Sequence, residues 1–149
     1  MAIESGVYPC FENQFKINTG TSESPVWSTI ADTETFSVSI DNGVEEWHPF
    51  EQRGWVRRLM TAKSITITVN GKRNVGDAGN DFVANFFMTT GQDAYGDVQW
   101  TFPDGAVLEL TESVINVTNM GAGDSTAVAP LEFQIMSNGT PTYTPASGE

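Results

Sequence analysis

Chemistry at a protein site starts from nucleophiles, bases and metal ligands, and this chain holds few of them. His48 is its sole histidine and Cys10 its sole thiol. A Ser-His-Asp relay would have to run through His48, which sits beside Pro49, and no Gly-x-Ser-x-Gly elbow presents a serine. A tetrahedral zinc site asks for three or four His or Cys ligands, or acids at fixed spacing, and neither pattern occurs. Asp77, Asp81, Asp93 and Asp97 miss the spacing of a calcium loop. Gly71-Lys72-Arg73-Asn74-Val75-Gly76 has the composition of a phosphate loop but carries its lysine at the wrong end, so it reads as a turn followed by a loop. The 19 acidic residues offer many carboxylate pairs for glycoside hydrolysis, and no spacing singles one out. Asn116-Val117-Thr118 and Asn138-Gly139-Thr140 match the glycosylation sequon, which is idle without secretion. The residues point to a protein without catalysis, metal or cofactor.

Composition narrows the class further. The chain has 149 residues, 39% of them hydrophobic and 17% charged, enough for one domain with a core and a surface rich in uncharged polar groups. Its net charge of −12 argues against a grip on nucleic acid or on an anionic membrane, both of which need positive surface. No apolar run approaches the roughly 18–20 residues of a membrane-spanning helix. A lone cysteine forms no intrachain disulfide, and Met1 to Gly6 lacks the basic-then-apolar pattern of a secretory signal, so the chain is expected to be made in the cytoplasm. The charge is also unevenly placed. The basic residues are Lys16, Arg53, Arg57, Arg58, Lys63, Lys72 and Arg73, whereas only acids follow Arg73. Unlike patches on one molecule favour head-to-tail contacts between copies, which close into rings or grow into filaments.

The elements that would position these groups are mostly strands. Phe36, Val38 and Ile40 alternate with Thr35, Ser37 and Ser39; Ile65, Ile67 and Val69 alternate with Ser64, Thr66 and Thr68. Leu108 and Leu110 alternate with Glu109 and Thr111, and Leu131, Phe133 and Ile135 with Glu132 and Gln134. Period two of this kind marks half-buried strands. Val114 to Val117 extends the third of these, Val98 to Phe102 supplies a partner, and Phe11 to Ile17 reads as a first strand. Asp41-Asn42-Gly43, Asn70-Gly71, Pro103-Asp104-Gly105 and Asn138-Gly139 have the chemistry of turns.

Two stretches depart from period two. Phe82, Val83, Phe86 and Phe87 fall on one helical face, predicting a helix over about 80–90, capped by Asn80 or Asp77 and stopped near Gly91. Its phenylalanines are expected on the open face of the sheets. Val44 to Thr61 fits neither template. It is far longer than a hairpin turn requires, and holds Trp47, Phe50, Trp55, Val56 and Leu59 among alternating charges. Tryptophan and arginine concentrate at interface hot spots, so the stretch reads as an arm that buries its aromatics against another subunit, or as a flap folded on its own domain.

Three blocks then carry a resemblance. Asp41-Asn42-Gly43-Val44-Glu45-Glu46-Trp47, Gly54-Trp55-Val56-Arg57-Arg58-Leu59, and the run from Gly71 to Asp81 resemble the central part of tail tube (major tail) proteins of tailed bacteriophages. Trp100 to Gly105, Gly123-Asp124-Ser125-Thr126 and Leu131-Glu132-Phe133 resemble the second half of the same family. The resemblance runs from about Phe11 to Pro145. It implies a mainly β fold, a β-sandwich or barrel with one flanking α-helix and a long hairpin arm over about 44–61, as a single domain over 1–149. It also implies a structural virion protein, made in the host cytoplasm, whose hexameric rings stack head to tail into a hollow tube. The implied partners are the tape-measure protein inside, the tail terminator and baseplate or distal tail proteins at the ends, and DNA in transit without specific binding. Whether a contractile sheath surrounds the tube stays open. Trp47, Phe50, Trp55, Arg57, Arg58, Lys72 and Arg73 are the expected interface residues.

In such a ring one sheet face must line the channel. Alternation assigns Ser37, Ser39, Thr66, Thr68, Glu109, Thr111, Glu132 and Gln134 to that face, a hydroxyl-rich and acidic surface with no Lys or Arg on these four strands. A duplex would pass it without forming phosphate contacts. The competing reading is a carbohydrate-binding β-sandwich module of a virion or enzyme, with Trp27, Trp47, Trp55 or Trp100 as the sugar platform.

Overall fold

Each run of alternating residues becomes a strand of one antiparallel sheet in the computed structural model, which describes residues 3–146. In chain order the elements are β1 (Gln14–Asn18), β2 (Trp27–Thr29), β3 (Thr33–Trp47), β4 (Arg57–Lys72), helix α1 (Ala78–Ala84), β5 (Tyr95–Thr101), β6 (Val107–Met120), β7 (Pro130–Met136) and β8 (Thr142–Thr144). The strand order is β2-β1-β5-β6-β7-β4-β3, with β8 paired to β6 beside this path.

The sheet folds back on itself at β6. The first part of that strand pairs with β5, the second with β7, and Val114 touches both partners. Glu112 sits at the corner with φ of 54°, its N–H bonded to Asp97 Oδ1 at 2.8 Å. The extra residue shifts the buried set from Leu108 and Leu110 to Ser113 and Ile115, as a bulge does. Ser113 keeps its buried hydroxyl satisfied by donating to Gly96 O at 2.7 Å. The two halves then close on each other: Phe15 of β1 and Phe36 of β3, near opposite ends of the strand order, have ring centroids 5.0 Å apart. The fold is a curled sheet, a β-sandwich or partly open barrel, with one helix on its flank. Its core holds Ile17, Ile67, Val69, Val98, Leu110, Leu131, Phe133 and Ile135, all essentially out of water. Each such side chain contributes about 1.5–3 kcal/mol.

Several local expectations are corrected. Asp41-Asn42-Gly43 is not a turn but the middle of β3, where the pairing with β4 slips by one residue after Gly43. A Cβ at Gly43 would come within 2.8 Å of the Ala62 Cβ, so glycine serves close strand approach at a bulge. Asn70-Gly71 likewise lies inside β4, where a side chain at Gly71 would run into the Asp32 carbonyl as the chain crosses it. Pro103-Asp104-Gly105 and Asn138-Gly139 do turn the chain, with φ of 98° at Gly105 and 84° at Gly139. The first strand begins only at Gln14, because the Asn13 N–H and side-chain amide both bond Cys10 O and tie residues 10–12 into a 3₁₀ turn.

The helix is shorter than predicted. Asp77 caps it by accepting from Asn80 N at 2.9 Å; α1 ends at Ala84 and continues as a 3₁₀ turn, Asn85–Met88. Gly91 does not stop it but opens a separate turn, Gly91–Ala94. The tighter winding rotates Phe87 out to 53% exposure, while Phe86 stays buried and Phe82 packs on the core.

Candidate assembly surfaces

Strand β4 pairs with β7 only from Thr66 to Lys72, and the Ser137 Oγ and N–H clamp Ile65 just beyond. From Asp41–Ser64 to Trp47–Arg57, β3 and β4 have only each other. This two-stranded ribbon stands about 23 Å clear of the sheet at ~3.3 Å per residue. The stretch 44–61 is thus the far end of a long hairpin rather than a loop. Val38 and Ile40, expected in the core, lie 36% and 55% exposed because the wall that would cover them has ended.

Alternation gives the ribbon two faces. Asn42–Lys63, Val44–Met60 and Glu46–Arg58 rungs share one face, and Glu45–Leu59 and Trp47–Arg57 rungs the other. Lys63 Nζ donates to Asn42 Oδ1 at 2.9 Å, and Arg58 Nε to Glu46 Oε2 at 2.8 Å. The Arg58 guanidinium holds the Glu46 carboxyl below its ordinary 4.5. Arg57 lies over the Trp47 ring, 5.9 Å from its centroid. The tip is a 3₁₀ turn, Phe50–Gln52, entered through Pro49 and left through Arg53 and Gly54, both at positive φ. It holds Phe50 entirely in solvent and Trp55 74% exposed. Aromatics as exposed as Phe50 and Trp55 bury little apolar surface inside the subunit.

The basic residues grouped by sequence separate in space. Arg57 and Lys72 stand at opposite ends of β4, because an extended strand places them fifteen residues, about 50 Å, apart. Lys72 pairs with Glu34 at 2.8 Å, and Arg73 with Asp81 at 2.8 Å and Asn80 Oδ1 at 2.9 Å. Arg73 is accordingly tied into its own subunit, within a polar knot that sequence reading missed. Asn80, fully buried, accepts also from Asn74 N and donates to Ala31 O and Lys72 O, joining helix, β4 and the approach to β3. Its place as the third helical residue after an Asp cap was the available signal.

The polar residues of the sheet align in rows. Ser37 faces Thr68, which faces Gln134, which faces Asn116; Ser39 faces Thr66. Asn116 Nδ2 donates to Gln134 Oε1 at 3.0 Å. Asn70 faces Glu132 in the next row, and Thr111 lies exposed by the β6 corner. The face is not free of cations. Lys72 ends the Thr66-Thr68-Asn70 series, and Glu109, which faces Gln99 and through it Lys16, lies on the outer face of the other half of the curled sheet, turned away from these rows. Strand β1 was outside the four strands compared, and β4 runs further than its alternation indicated.

The tryptophans do not form one platform. Trp100 stacks between Phe15 and Phe102 and donates to Asn13 Oδ1 at 2.8 Å, Trp27 lies on β2, and Trp47 and Trp55 belong to the arm.

No family model and no curated protein matches the sequence. Solved structures do. A chain from the tail of an empty gene transfer agent particle, refined with C6 symmetry, superposes with a TM-score of 0.70 over 93% of this chain and 100% of its own, at 19% identity. The fold is that of tail-tube proteins. Chains from an extracellular contractile injection system (PVC) share it: one from the sheath–tube complex at a TM-score of 0.61, 14% identity and coverage of 95% and 93%, and one from the sheath/tube terminator at 0.62, 11%, 96% and 100%. These matches each cover 93–96% of this chain at 11–19% identity.

Proposed function

We propose that this chain is a structural subunit of a phage-type tail, forming hexameric rings that stack into a hollow tube. The observation that carries the reading is the end-to-end correspondence with the gene transfer agent tail chain, with 93% of one chain and 100% of the other superposed. The projecting arm supports it, since a ribbon with Trp47, Phe50 and Trp55 at its end has a use only where another molecule covers them. In this reading the polar sheet face of Ser37, Ser39, Thr66, Thr68, Glu132 and Gln134 lines the lumen, and Glu109 and Thr111, on the outer face of the other half of the sheet, lie away from it. A tape-measure protein fills it during assembly and DNA passes later. Terminator and baseplate proteins cap the ends, the rings form in the host cytoplasm, and the finished tube resides in the virion.

Negative-stain microscopy and size measurement at rising protein concentration test the reading. Rings or tubes are expected. A monomer that persists at all concentrations and binds glycans would overturn it in favour of a carbohydrate-binding module. Trp47→Ala and Trp55→Ala are expected to keep the native fold by circular dichroism while raising the concentration at which assemblies form. Unchanged assembly would remove the arm from the interface.

A further inference from the structure

Where the arm ends up can be read from the far side of the molecule. Between the 3₁₀ turn at residues 10–12 and the start of β3 the curled sheet leaves a cleft of about 510 Å³. Its walls include Cys10, Phe11 and Asn13 on one lip, Thr35 and Phe36 on the other, and Phe15 and Val69 below. That volume lies within the range of about 300–1,000 Å³ that seats small organic groups. Phe15 and Phe36 give it an aromatic wall, their ring centroids 5.0 Å apart, and Trp100 packs on both from outside the lining. Phe11, which lines it, is 81% exposed.

We propose that this cleft is the socket for Phe50 of a second copy of the chain, an inference that rests on the tube reading above. Four observations select this occupant. Phe50 is fully exposed, fixed on a turn that follows Pro49, and of a size the cleft takes. It cannot reach its own cleft, since Phe36 and Trp47 are separated by eleven residues of paired strand, about 36 Å, and the ribbon points away. Charge agrees: beyond the Glu46–Arg58 pair the tip carries Arg53 and Arg57 against Glu51, whereas Glu12 neighbours the cleft and the Glu34 of its wall is already paired with Lys72, with no basic residue in its lining. Knob and socket finally sit at opposite ends of the long hairpin, so their contact is head to tail and repeats from copy to copy, as stacking requires. A ring seated among Phe11, Phe15 and Phe36 would gain edge-to-face contacts as well as burial.

Cys10 makes the contact testable, because the only thiol of the chain lines the cleft and is exposed. A disulfide forms only where two Cα atoms come within about 7 Å. Phe50→Cys subunits, assembled and mildly oxidised or bridged by a short bismaleimide, are expected to give a ladder of covalent multimers on a non-reducing gel. The same variant carrying Cys10→Ser should give dimers at most. Phe50→Ala should raise the concentration needed for tube growth roughly 30-fold, the equivalent of a ~2 kcal/mol hot spot. Tubes of Phe50→Cys that yield no ladder would overturn the socket while leaving the tube reading intact; wild-type protein that forms no rings or tubes would overturn both. Should Phe50→Cys fail to assemble, wild-type chain alkylated at Cys10 with a bulky maleimide decides the matter. Lost assembly supports the socket, and normal tubes refute it.

Discussion

Asn80 is the side chain on which most of the local structure depends. It is wholly buried and satisfies two carbonyls, a backbone N–H and the Arg73 guanidinium. Truncation would leave those groups unpaired in a site too tight for free water exchange, at about 1–3 kcal/mol each for those that stay dry. Asn80→Ala is expected to lower the melting temperature by roughly 10 °C, at about 2–4 °C per kcal/mol for a chain of this size, in a scanning calorimeter. Asn80→Asp should rescue only part of this, because it loses both donors. Glu46 and Arg58 give the opposite kind of residue, exposed at the surface. Because the folded-state pKa of Glu46 is depressed, its pairing is complete above the ordinary 4.5 and is lost as pH falls through the lowered value. The midpoint of its carboxyl ¹³C titration should move up in Arg58→Gln. An unmoved midpoint would mean that the pair is not formed in solution.

At the scale of elements, α1 and the 3₁₀ turn after it show how a change of winding sorts neighbouring residues. Phe86 is buried against β5 and β6, whereas Phe87 faces water. Phe86→Ala is expected to cost about 3–5 kcal/mol in urea denaturation, and Phe87→Ala under about 0.5 kcal/mol. Equal losses would mean that the helix continues past Ala84 without tightening. The arm is the other telling element. Its strands lack the third partner that usually stabilises a hairpin, and polar pairs at Asn42–Lys63 and Glu46–Arg58 with the Trp47–Arg57 stack hold its end instead. Such contacts are individually weak, so the ribbon keeps its form through continuity with β3 and β4 in the body.

For the whole molecule, net charge −12 and a polar sheet face describe a surface that repels a phosphate backbone. Lys72 lies on that face too but is neutralised by Glu34, whereas Lys16 and Glu109 belong to the outer face of the other half of the sheet. If this face lines a tube, replacing Glu132 and Gln134 with lysine should leave tubes intact under the microscope yet slow or block DNA delivery. Each lysine would add a phosphate contact whose strength falls with salt. Normal delivery by such particles would place the face elsewhere. Without assembled neighbours the same molecule shows an exposed aromatic tip at one end and an open aromatic cleft at the other. In the proposed tube both become ordinary packing surface.

What the sequence determined by itself was set by local physics. Period two marked four strands and the face each presents, Asn80 or Asp77 marked the helix start, of which the structure takes Asp77, and Pro103-Asp104-Gly105 and Asn138-Gly139 marked turns. The scarcity of histidine and cysteine was legible at once, and so was an excess of aromatic residues between two strands. Tertiary structure decided the rest. Gly43 and Gly71 look like turn residues in the sequence, but the reason for each lies on a strand far along the chain, at Ala62 and Asp32. Three-residue strands such as β2 and β8 are too short to show a period and exist only because a partner edge is there to receive them. The basic cluster dissolved for a related reason: an extended strand turns nearness in sequence into distance in space. Arg73 then stayed in the body with Asn80 and Asp81, and Arg57 left with the arm. Whether an apolar strand residue is core or surface depends on where the opposite wall stops. Val38 and Ile40 have the right types and the right period, and no wall.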